Sequence, residues 1–242
     1  MEKLPTELAV EIVGHVAASS SHPLDDLGNL RETCSGMRRV CHDAHVGRRL
    51  ALQRVLRRGT WEPYYDEEFR RNLVSNLSSV GNPEACFLTG MRDVFVDEHV
   101  ALCLRLEVLD RAIAGGHDLA AYVVALLLYR PNSGRWNDDR ARRLLRQVEG
   151  DEAAAMAPAT WENKTCARFR EQALRLLEVI VPRGANWGRR VPKPVPRQDG
   201  HRCAGGACGV QAGMVGWQSW ALFCSEECRI RTECATFFGR MW

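Results

Sequence analysis

The sequence predicts a mainly α-helical protein in three parts: a short helical module, an array of helical hairpins and a small C-terminal finger. Three observations indicate this architecture. Apolar residues recur three or four positions apart through most of the first 180 residues, which is the spacing of one side of a helix. Two stretches, around Ala85 and Ala120, resemble each other at an offset of 35 residues. Two close pairs of cysteines lie near the end of the chain.

Length and charge set the first limits on function. The chain has 242 residues, of which 45% are apolar and 26% charged, so it can bury a core in one large domain or in two or three small ones. Its 33 basic and 30 acidic residues give a net charge of +3. That excess is too small to indicate binding to nucleic acid or to an anionic membrane, so any basic partner surface must be local.

Neither a secretory signal nor a membrane span is expected. The N-terminal segment MEKLPTELAVEIV places acidic residues among its apolar ones. The longest apolar run, LAAYVVALLLY at 119–129, is about half the ~20 residues that a membrane-spanning helix needs. Ten cysteines in an intracellular chain are more typical of thiols or metal ligands than of a disulfide framework. The sequence therefore predicts a protein of the cytoplasm, the nucleus or both.

Two helical stretches are predicted in the first 50 residues. The first carries a stripe of apolar residues with Pro5 in its first turn, namely Leu4, Leu8, Ile12 and Val16, with Val13 beside them. After a polar break, Asp25 or Asp26 could cap a second stretch with apolar positions at Leu27, Leu30, Cys34, Met37, Val40 and Cys41. So short a segment has too little interior to be very stable alone. We therefore expect a neighbour or a partner to cover part of its apolar surface.

Residues 2–50 resemble an F-box, and the module is assigned to residues 1–50. The resemblance is carried by LPTELAVEIVGHVAASS and by DLGNLRETCSGMRRVCHD, with Met37 where many F-boxes have Trp. It implies a three-helix module that docks on a Skp-type adaptor and brings a substrate to a cullin-RING ubiquitin ligase. By that resemblance the docking face would consist of Leu4, Pro5, Leu8, Ile12, Val13, Leu30, Met37 and Val40. The alternative is an ordinary helical cap that packs on the following domain.

Residues 51–181 are predicted to form helical hairpins. GNPEACFLTGMRDVF at 81–95 and GHDLAAYVVALLLY at 116–129 each place a glycine and an alanine before an apolar helix. Each precedes a second helical stretch, and these end at Gly115–Gly116 and at Gly150. The order is similar to Sel-type tetratricopeptide-like repeats, which implies stacked helix pairs with a concave surface for peptides or proteins.

Two details of the hairpin region are predicted from local pattern. Leu102, Leu104, Leu106 and Val108 alternate as a strand would, but the following DRAIAGG continues a helical pattern, so a helix is predicted there. Asp138 or Asp139 is expected to open the next helix, and a further helix is expected over 162–181. After it, residues 182–200 carry prolines and basic residues and are predicted to form an extended tether.

The C-terminal finger, residues 201–242, is predicted from the spacing of four cysteines. Cys203 and Cys208 form one pair, and Cys224 and Cys228 form the other. Two such pairs can supply the four thiolates that zinc binds at tetrahedral corners. Cys224 is expected just before a helix and Cys228 in its first turn, as in a treble-clef finger. One structural zinc ion is expected, since metal can replace the core that so small a domain lacks. His201 or Cys234 could substitute for one ligand.

The run FCSEEC resembles the second half of MYND-type fingers. A plant group of F-box proteins joins an F-box, Sel-type repeats and a C-terminal MYND-like finger in this order. The remaining cysteines are predicted to pack as small apolar residues, including Cys34 and Cys41, although His42 and His45 lie near them. The others of this kind are Cys86, Cys103 and Cys166.

No catalytic motif is present in the sequence, and an all-cysteine zinc site has no open position for a water molecule. The sequence therefore favours a non-catalytic adaptor of a ubiquitin ligase, which binds a Skp-type protein through its first helices and a target through its repeats and finger. One alternative is a zinc-finger and helical-repeat scaffold that binds protein or nucleic acid without a ligase role. Another is a redox-active thiol protein.

Overall fold

The computed structural model describes residues 4–57, 67–96, 102–129, 135–150, 164–180 and 223–240. Within these ranges the chain forms twelve α-helices and no β-strand, so the predicted mainly α fold is confirmed. None of the described helices is long and apolar enough to cross a membrane. The helices are α1 Thr6–Ser19, α2 Pro23–Thr33, α3 Ser35–Cys41, α4 Ala44–Arg49, α5 Leu52–Arg57, α6 Glu67–Ser79, α7 Pro83–Phe95, α8 Leu102–Ala114, α9 Asp118–Leu128, α10 Arg135–Glu149, α11 Lys164–Ile180 and α12 Glu226–Gly239.

The chain divides into two compact units. The first unit consists of Met1–Gly90 and Cys103–His117, and the second of Met91–Leu102 and Asp118–Trp242. The division falls within α7 and again at the start of α8 and of α9. The module predicted over residues 1–50 is thus part of a larger unit that also contains the first part of α7 and nearly all of α8.

The core of the first unit is built from small and medium-sized apolar side chains of α1 and of the helices that follow it. Ala9, Val13 and Ala17 line the buried side of α1, and Leu77 of α6 and Ala85 of α7 belong to the same core. As expected, later helices cover part of the apolar surface of the first 50 residues. This burial supplies the hydrophobic stabilisation that the four short helices α1 to α4 lack on their own.

Two expectations for the second helical stretch were wrong. The stretch is broken at Cys34, whose backbone is extended and whose exposed Sγ accepts a hydrogen bond from the backbone N–H of Met37 at 3.4 Å. That bond lowers the pKa of the Cys34 thiol, and the side chain lies outside the buried stripe. In addition, α2 begins at Pro23 rather than after Asp25 or Asp26, because proline suits the first turn of a helix.

Asn82 joins the N-terminal helices to the first hairpin. Its side chain is almost completely buried, and its amide Nδ2 donates to the backbone oxygens of Gly47 and Leu50, both at 2.9 Å. Its Oδ1 accepts the N–H of Ala85 at 3.1 Å and so caps α7. One side chain therefore fixes the start of α7 against the end of α4.

The first hairpin, formed by α7 and α8, is helical in both arms. The alternating leucines near residue 102 lie in a helix, as predicted, and Leu109 and Ala112 of that helix are fully buried. The arms approach closely at Gly90, where an added Cβ would lie 2.6 Å from Cγ of Leu109. The hairpin ends at the glycine pair Gly115–Gly116, as predicted. The φ of Gly116 is 83°, a backbone conformation that favours glycine.

The second unit contains the helices of the later hairpin and α11. Every residue from Ala120 to Leu128 is buried in α9, while α10 and α11 are amphipathic. The predicted end of α10 at Gly150 is confirmed by its positive φ of 75°. The predicted opening at Asp138 or Asp139 was wrong, because α10 already begins at Arg135. The helix predicted over 162–181 is observed as α11.

Candidate functional site

In the described part of the first unit, the most exposed large apolar side chains are three residues in and just before α1. Leu4, just before the helix, is 55% exposed, Leu8 53% and Ile12 54%. Leu8 and Ile12 are four positions apart within α1 and therefore lie on one side of the helix, and Leu4 precedes its N-cap residue Pro5. The adjacent side, with Ala9, Val13 and Ala17, faces the core. We call Leu4, Leu8 and Ile12 the α1 row.

The other predicted docking residues lie elsewhere. Val13 and Val40 are buried in the core of the first unit, so they pack the interior rather than extend the exposed row. Leu30 and Met37 are partly buried and pack against the same core. Pro5 is exposed and precedes the first residue of α1. The structure thus leaves four of the eight predicted residues exposed in and just before α1, namely Leu4, Pro5, Leu8 and Ile12.

An ion-pair cluster fixes α1 against α4. Oε1 of Glu11 accepts a hydrogen bond from Nη1 of Arg49 at 2.6 Å, and Oε2 lies 3.1 Å from Nε2 of His45. The hydrogen bond from Arg49 lowers the pKa of the Glu11 carboxyl. Arg49 is 38 positions from Glu11, and no local pattern predicts such a contact. The cluster holds the helix that carries the α1 row in place.

The second candidate site is a pair of cysteines at the start of α12. Sγ of Cys224 lies 3.2 Å from Sγ of Cys228, and Ser225 between them caps the helix by accepting the N–H of Cys228 at 3.2 Å. Four thiolates at ~2.3 Å from a zinc ion stand roughly 3.8 Å apart, so the two sulfurs are close enough to share an ion after a separation of roughly 0.6 Å. The predicted position of this pair before and within the first turn is observed.

The other two predicted ligands, Cys203 and Cys208, lie outside the described residues, as does the possible substitute His201. In the described part of the chain no three His, Cys, Asp or Glu side chains converge where they could hold a metal ion. Cys234 is buried further along α12, among residues that pack inside the second unit. Of the four predicted ligands the structure therefore describes only the pair Cys224 and Cys228.

Acidic residues between the two cysteines bind α10. Glu226 is held by Arg146 through two hydrogen bonds of 3.0 and 2.9 Å, and Glu227 is hydrogen-bonded to Arg142. The hydrogen bonds from Arg146 lower the pKa of the Glu226 carboxyl. The turn that carries the candidate metal ligands is thus attached to a helix of the repeat region.

A more buried ion pair lies one turn further along α12. Arg229 is 9% exposed and its partner Glu149, at the end of α10, is 11% exposed. Both terminal guanidinium nitrogens donate to the carboxylate, Nη1 to Oε1 and Nη2 to Oε2, the latter at 3.0 Å. Burial alone would lower the pKa of Arg229, but the hydrogen bonds to Glu149 more than offset it, and the pKa is raised. The carboxylate also lies near the buried thiol of Cys166, and burial raises the pKa of that thiol.

The remainder of α12 packs into the core of the second unit. Glu233 accepts hydrogen bonds from Arg170 of α11, at 2.6 Å, and from the hydroxyl of Tyr122 of α9. Burial, followed by the nearby Glu233 charge, raises the pKa of Tyr122. Phe237 is fully buried, with its ring edge-to-face with Tyr122 at 6.1 Å. Sequence reasoning assigned this helix to a small separate finger and did not predict these contacts.

Comparison with known proteins supports the prediction that the middle of the chain consists of helical repeats. A family model described as plant tetratrico peptide repeats matches residues 60–169. A protein of Arabidopsis thaliana named "Putative F-box protein" is 30% identical over 128 residues, which are 53% of this chain and 40% of that relative. No solved structure matches the chain. The prediction of tetratricopeptide-like helical repeats is confirmed at the level of a plant helical-repeat family.

Proposed function

We propose that this protein is a non-catalytic, substrate-recruiting adaptor of a cullin-RING ubiquitin ligase. In this proposal the α1 row docks on a Skp-type adaptor, and the repeats with the C-terminal finger bind the target. The observation that carries it is the exposure of Leu8 and Ile12 on one side of a helix whose small side chains are buried, with Leu4 exposed just before the helix. Large apolar groups aligned on a surface mark a site of contact with another protein.

The comparisons support the proposal without extending to the whole protein. The relative from Arabidopsis thaliana is named as an F-box protein, and the repeat match adds a helical array of the kind that binds peptides or proteins. The chain spans about 40% of the length of that relative. The ligase role, its partners and its site in the cytoplasm or nucleus therefore stand as parts of this proposal.

Binding to a Skp-type adaptor should depend on the α1 row. We expect the double variant Leu8→Asp, Ile12→Asp to bind a purified Skp-type adaptor at least a hundredfold more weakly than wild type. Covering two half-exposed aliphatic side chains contributes roughly 1 kcal/mol each, and a carboxylate buried there without a partner costs further free energy. The measurement is titration calorimetry with the full chain.

A matched control separates the α1 row from a general loss of apolar surface. Val179 is 82% exposed on α11, so Val179→Asp makes the same chemical change elsewhere. We expect it to bind the adaptor like wild type, with circular dichroism showing that all variants remain helical. Absence of binding by folded wild type, or equal loss in both variants, would contradict the docking proposal.

We also propose that the finger holds one structural zinc ion through Cys203, Cys208, Cys224 and Cys228. The 3.2 Å approach of Cys224 and Cys228 supports it. Elemental analysis of purified full chain should give one zinc per chain, and the double variant Cys224→Ser, Cys228→Ser should give none. Cys34→Ser, at an exposed helix cap, is the matched control and should retain the metal.

The alternative ligands give this zinc experiment a further outcome. Cys234→Ala should retain one zinc, because Cys234 packs inside the second unit. A variant that loses its metal would instead place Cys234 among the ligands. Wild-type protein without zinc, or with two ions per chain, would rule out the single four-cysteine site.

The scaffold alternative that binds nucleic acid receives less support. It would use the basic linker, Arg202, Arg229, Arg231 and the tryptophans of the C-terminal tail, and the structure describes only Arg229 and Arg231 of these. Arg229 is buried against Glu149, and Nε of Arg231 donates to Glu227 at 2.8 Å. Arginines already paired with carboxylates have little free charge to offer a phosphate backbone.

A further inference from the structure

A cavity of about 320 Å³ opens in the first unit, and the proposed docking function does not use it. It lies where the end of α1, the connection from α4 to α5, the start of α7 and the turn after α8 meet. Its volume is at the lower end of the ~300–1,000 Å³ of ligand pockets. It can therefore receive a small group or one or two side chains of a peptide.

Positive charge predominates in the lining. Three arginines contribute to it, Arg48, Arg49 and Arg54, against one carboxylate, that of Glu84. Arg49 is neutralised by Glu11 outside the cavity. Among the described residues Arg48 has no carboxylate partner, and Arg54 donates hydrogen bonds to the backbone oxygens of Ser19 and Ser20, which carry no formal charge.

The single carboxylate of the lining is already engaged. Oε2 of Glu84 accepts a hydrogen bond from Nε2 of Gln53 at 2.6 Å and lies 2.9 Å from Nε2 of His117. The His117 ring is stacked on Phe87, with 4.4 Å between ring centroids. Glu84 is thus tied to the wall by two partners and is less able to compete for the guanidinium groups.

The backbone that carries the arginines is held rigidly. The buried amide of Asn82 donates to the oxygens of Gly47 and Leu50, on either side of Arg48 and Arg49. The N–H of Ala51 is also bonded to the oxygen of Ala17 at 3.0 Å. A cavity whose walls are already fixed loses little conformational entropy when it binds a ligand.

We infer that this cavity binds an anionic oxygen group, a carboxylate or a phosphate, carried by an extended segment of a target protein. Guanidinium groups recognise both, since their planar N–H donors match two oxygens at once. The inference deepens the proposed function, on which it rests for the identity of the partner as a ligase target. The sites are separate, because none of the cavity residues belongs to the α1 row.

The probe for the test is a fluorescein-labelled hexaglutamate peptide, with hexaglutamine as the neutral peptide of the same length. Fluorescence anisotropy with the full chain at low salt should show hexaglutamate binding at least tenfold more tightly than hexaglutamine. Arg48→Gln should weaken hexaglutamate binding about tenfold and leave hexaglutamine unchanged. Arg48→Lys should retain part of the affinity, because it keeps the charge but not the two-pronged geometry.

The matched control is Arg71→Gln, which makes the same charge change at an exposed position of α6 in the same unit. It should change the affinity less than twofold. Inorganic phosphate tests the other source of the anion: if phosphate raises the melting temperature of wild type but not of Arg48→Gln, while hexaglutamate does not bind, the ligand is a free anion. Equal affinity of Arg48→Gln and wild type for hexaglutamate, or no response to either probe, would overturn the inference.

Binding of the Skp-type adaptor to the same variants distinguishes the two proposals. Arg48→Gln should bind the adaptor like wild type, since the α1 row is intact. Loss of peptide binding with adaptor binding retained supports the cavity. Adaptor binding absent in every protein, with charge-dependent peptide binding present, would remove the ligase role and keep the anion site.

Discussion

Replacing Arg229 by alanine is expected to lower the free energy of unfolding of the second unit by about 3 kcal/mol. The reason is that Glu149 is 11% exposed and receives two hydrogen bonds from this guanidinium. Without them its charge is left with little solvent, the Cys166 thiol and the Coulombic attraction of Arg146. Urea unfolding of the full chain, followed by circular dichroism, measures the change.

Two further variants test whether the cost comes from the unpaired charge. The double variant Arg229→Leu, Glu149→Leu removes both charges, and we expect it to be much closer to wild type than Arg229→Ala. Arg175 pairs with Glu171 on the surface of α11, where its side chain is 74% exposed. Arg175→Ala should therefore change the free energy of unfolding by less than ~0.5 kcal/mol. A loss as small as this for Arg229→Ala would show that solvent reaches Glu149.

The helices could be predicted from sequence because their information is local. Apolar spacing identified α7 to α11, and glycines identified where the second arm of each hairpin ends, at Gly116 and Gly150. Helix starts were harder. Several residues that could cap a helix lie near the starts of α2 and α10, so the sequence does not single out one of them. The two helices begin before the predicted caps, at Pro23 and at Arg135.

The orientation of α1 could not be predicted, although its existence could. Two apolar stripes lie side by side on this helix, one with Leu8 and Ile12 and the other with Ala9 and Val13. Both have helical spacing, so the period does not say which one faces the core. The neighbouring helices decide it by leaving room only for the smaller side chains, and the larger ones remain outside. Because the larger side chains are the exposed ones, this side of α1 is a candidate docking surface.

The contacts of α12 have no signature in local sequence. Arg229 and Glu149 are 80 positions apart, and Arg170 and Glu233 are 63 apart. Cysteine spacing predicted the start of the helix and the approach of Cys224 to Cys228, because those features involve neighbours along the chain. It could not predict that the same helix continues into the core of the second unit.

Phe237→Ala is expected to destabilise the second unit by about 4 kcal/mol. The ring is fully buried and makes edge-to-face contacts with Tyr122 at 6.1 Å and Phe238 at 5.1 Å. Its removal leaves a cavity and loses these ring contacts. The control is Trp136→Ala, at a position 75% exposed on α10, which should cost less than ~0.5 kcal/mol. Urea unfolding with circular dichroism again gives the values.

Which helices Phe237→Ala destabilises distinguishes two descriptions of the C-terminal region. If α12 belonged to a finger that folds by itself around a metal, the variant would unfold only that finger, and the repeat helices would melt as in wild type. If α12 is part of the repeat core, as its contacts with Tyr122 and Arg170 indicate, the helices of the second unit should lose stability together. In that case the variant should also lower zinc affinity, because Cys224 and Cys228 are positioned by the helix that the ring anchors. A fall in helix stability with unchanged zinc affinity would show that the cysteine turn is organised independently of the core.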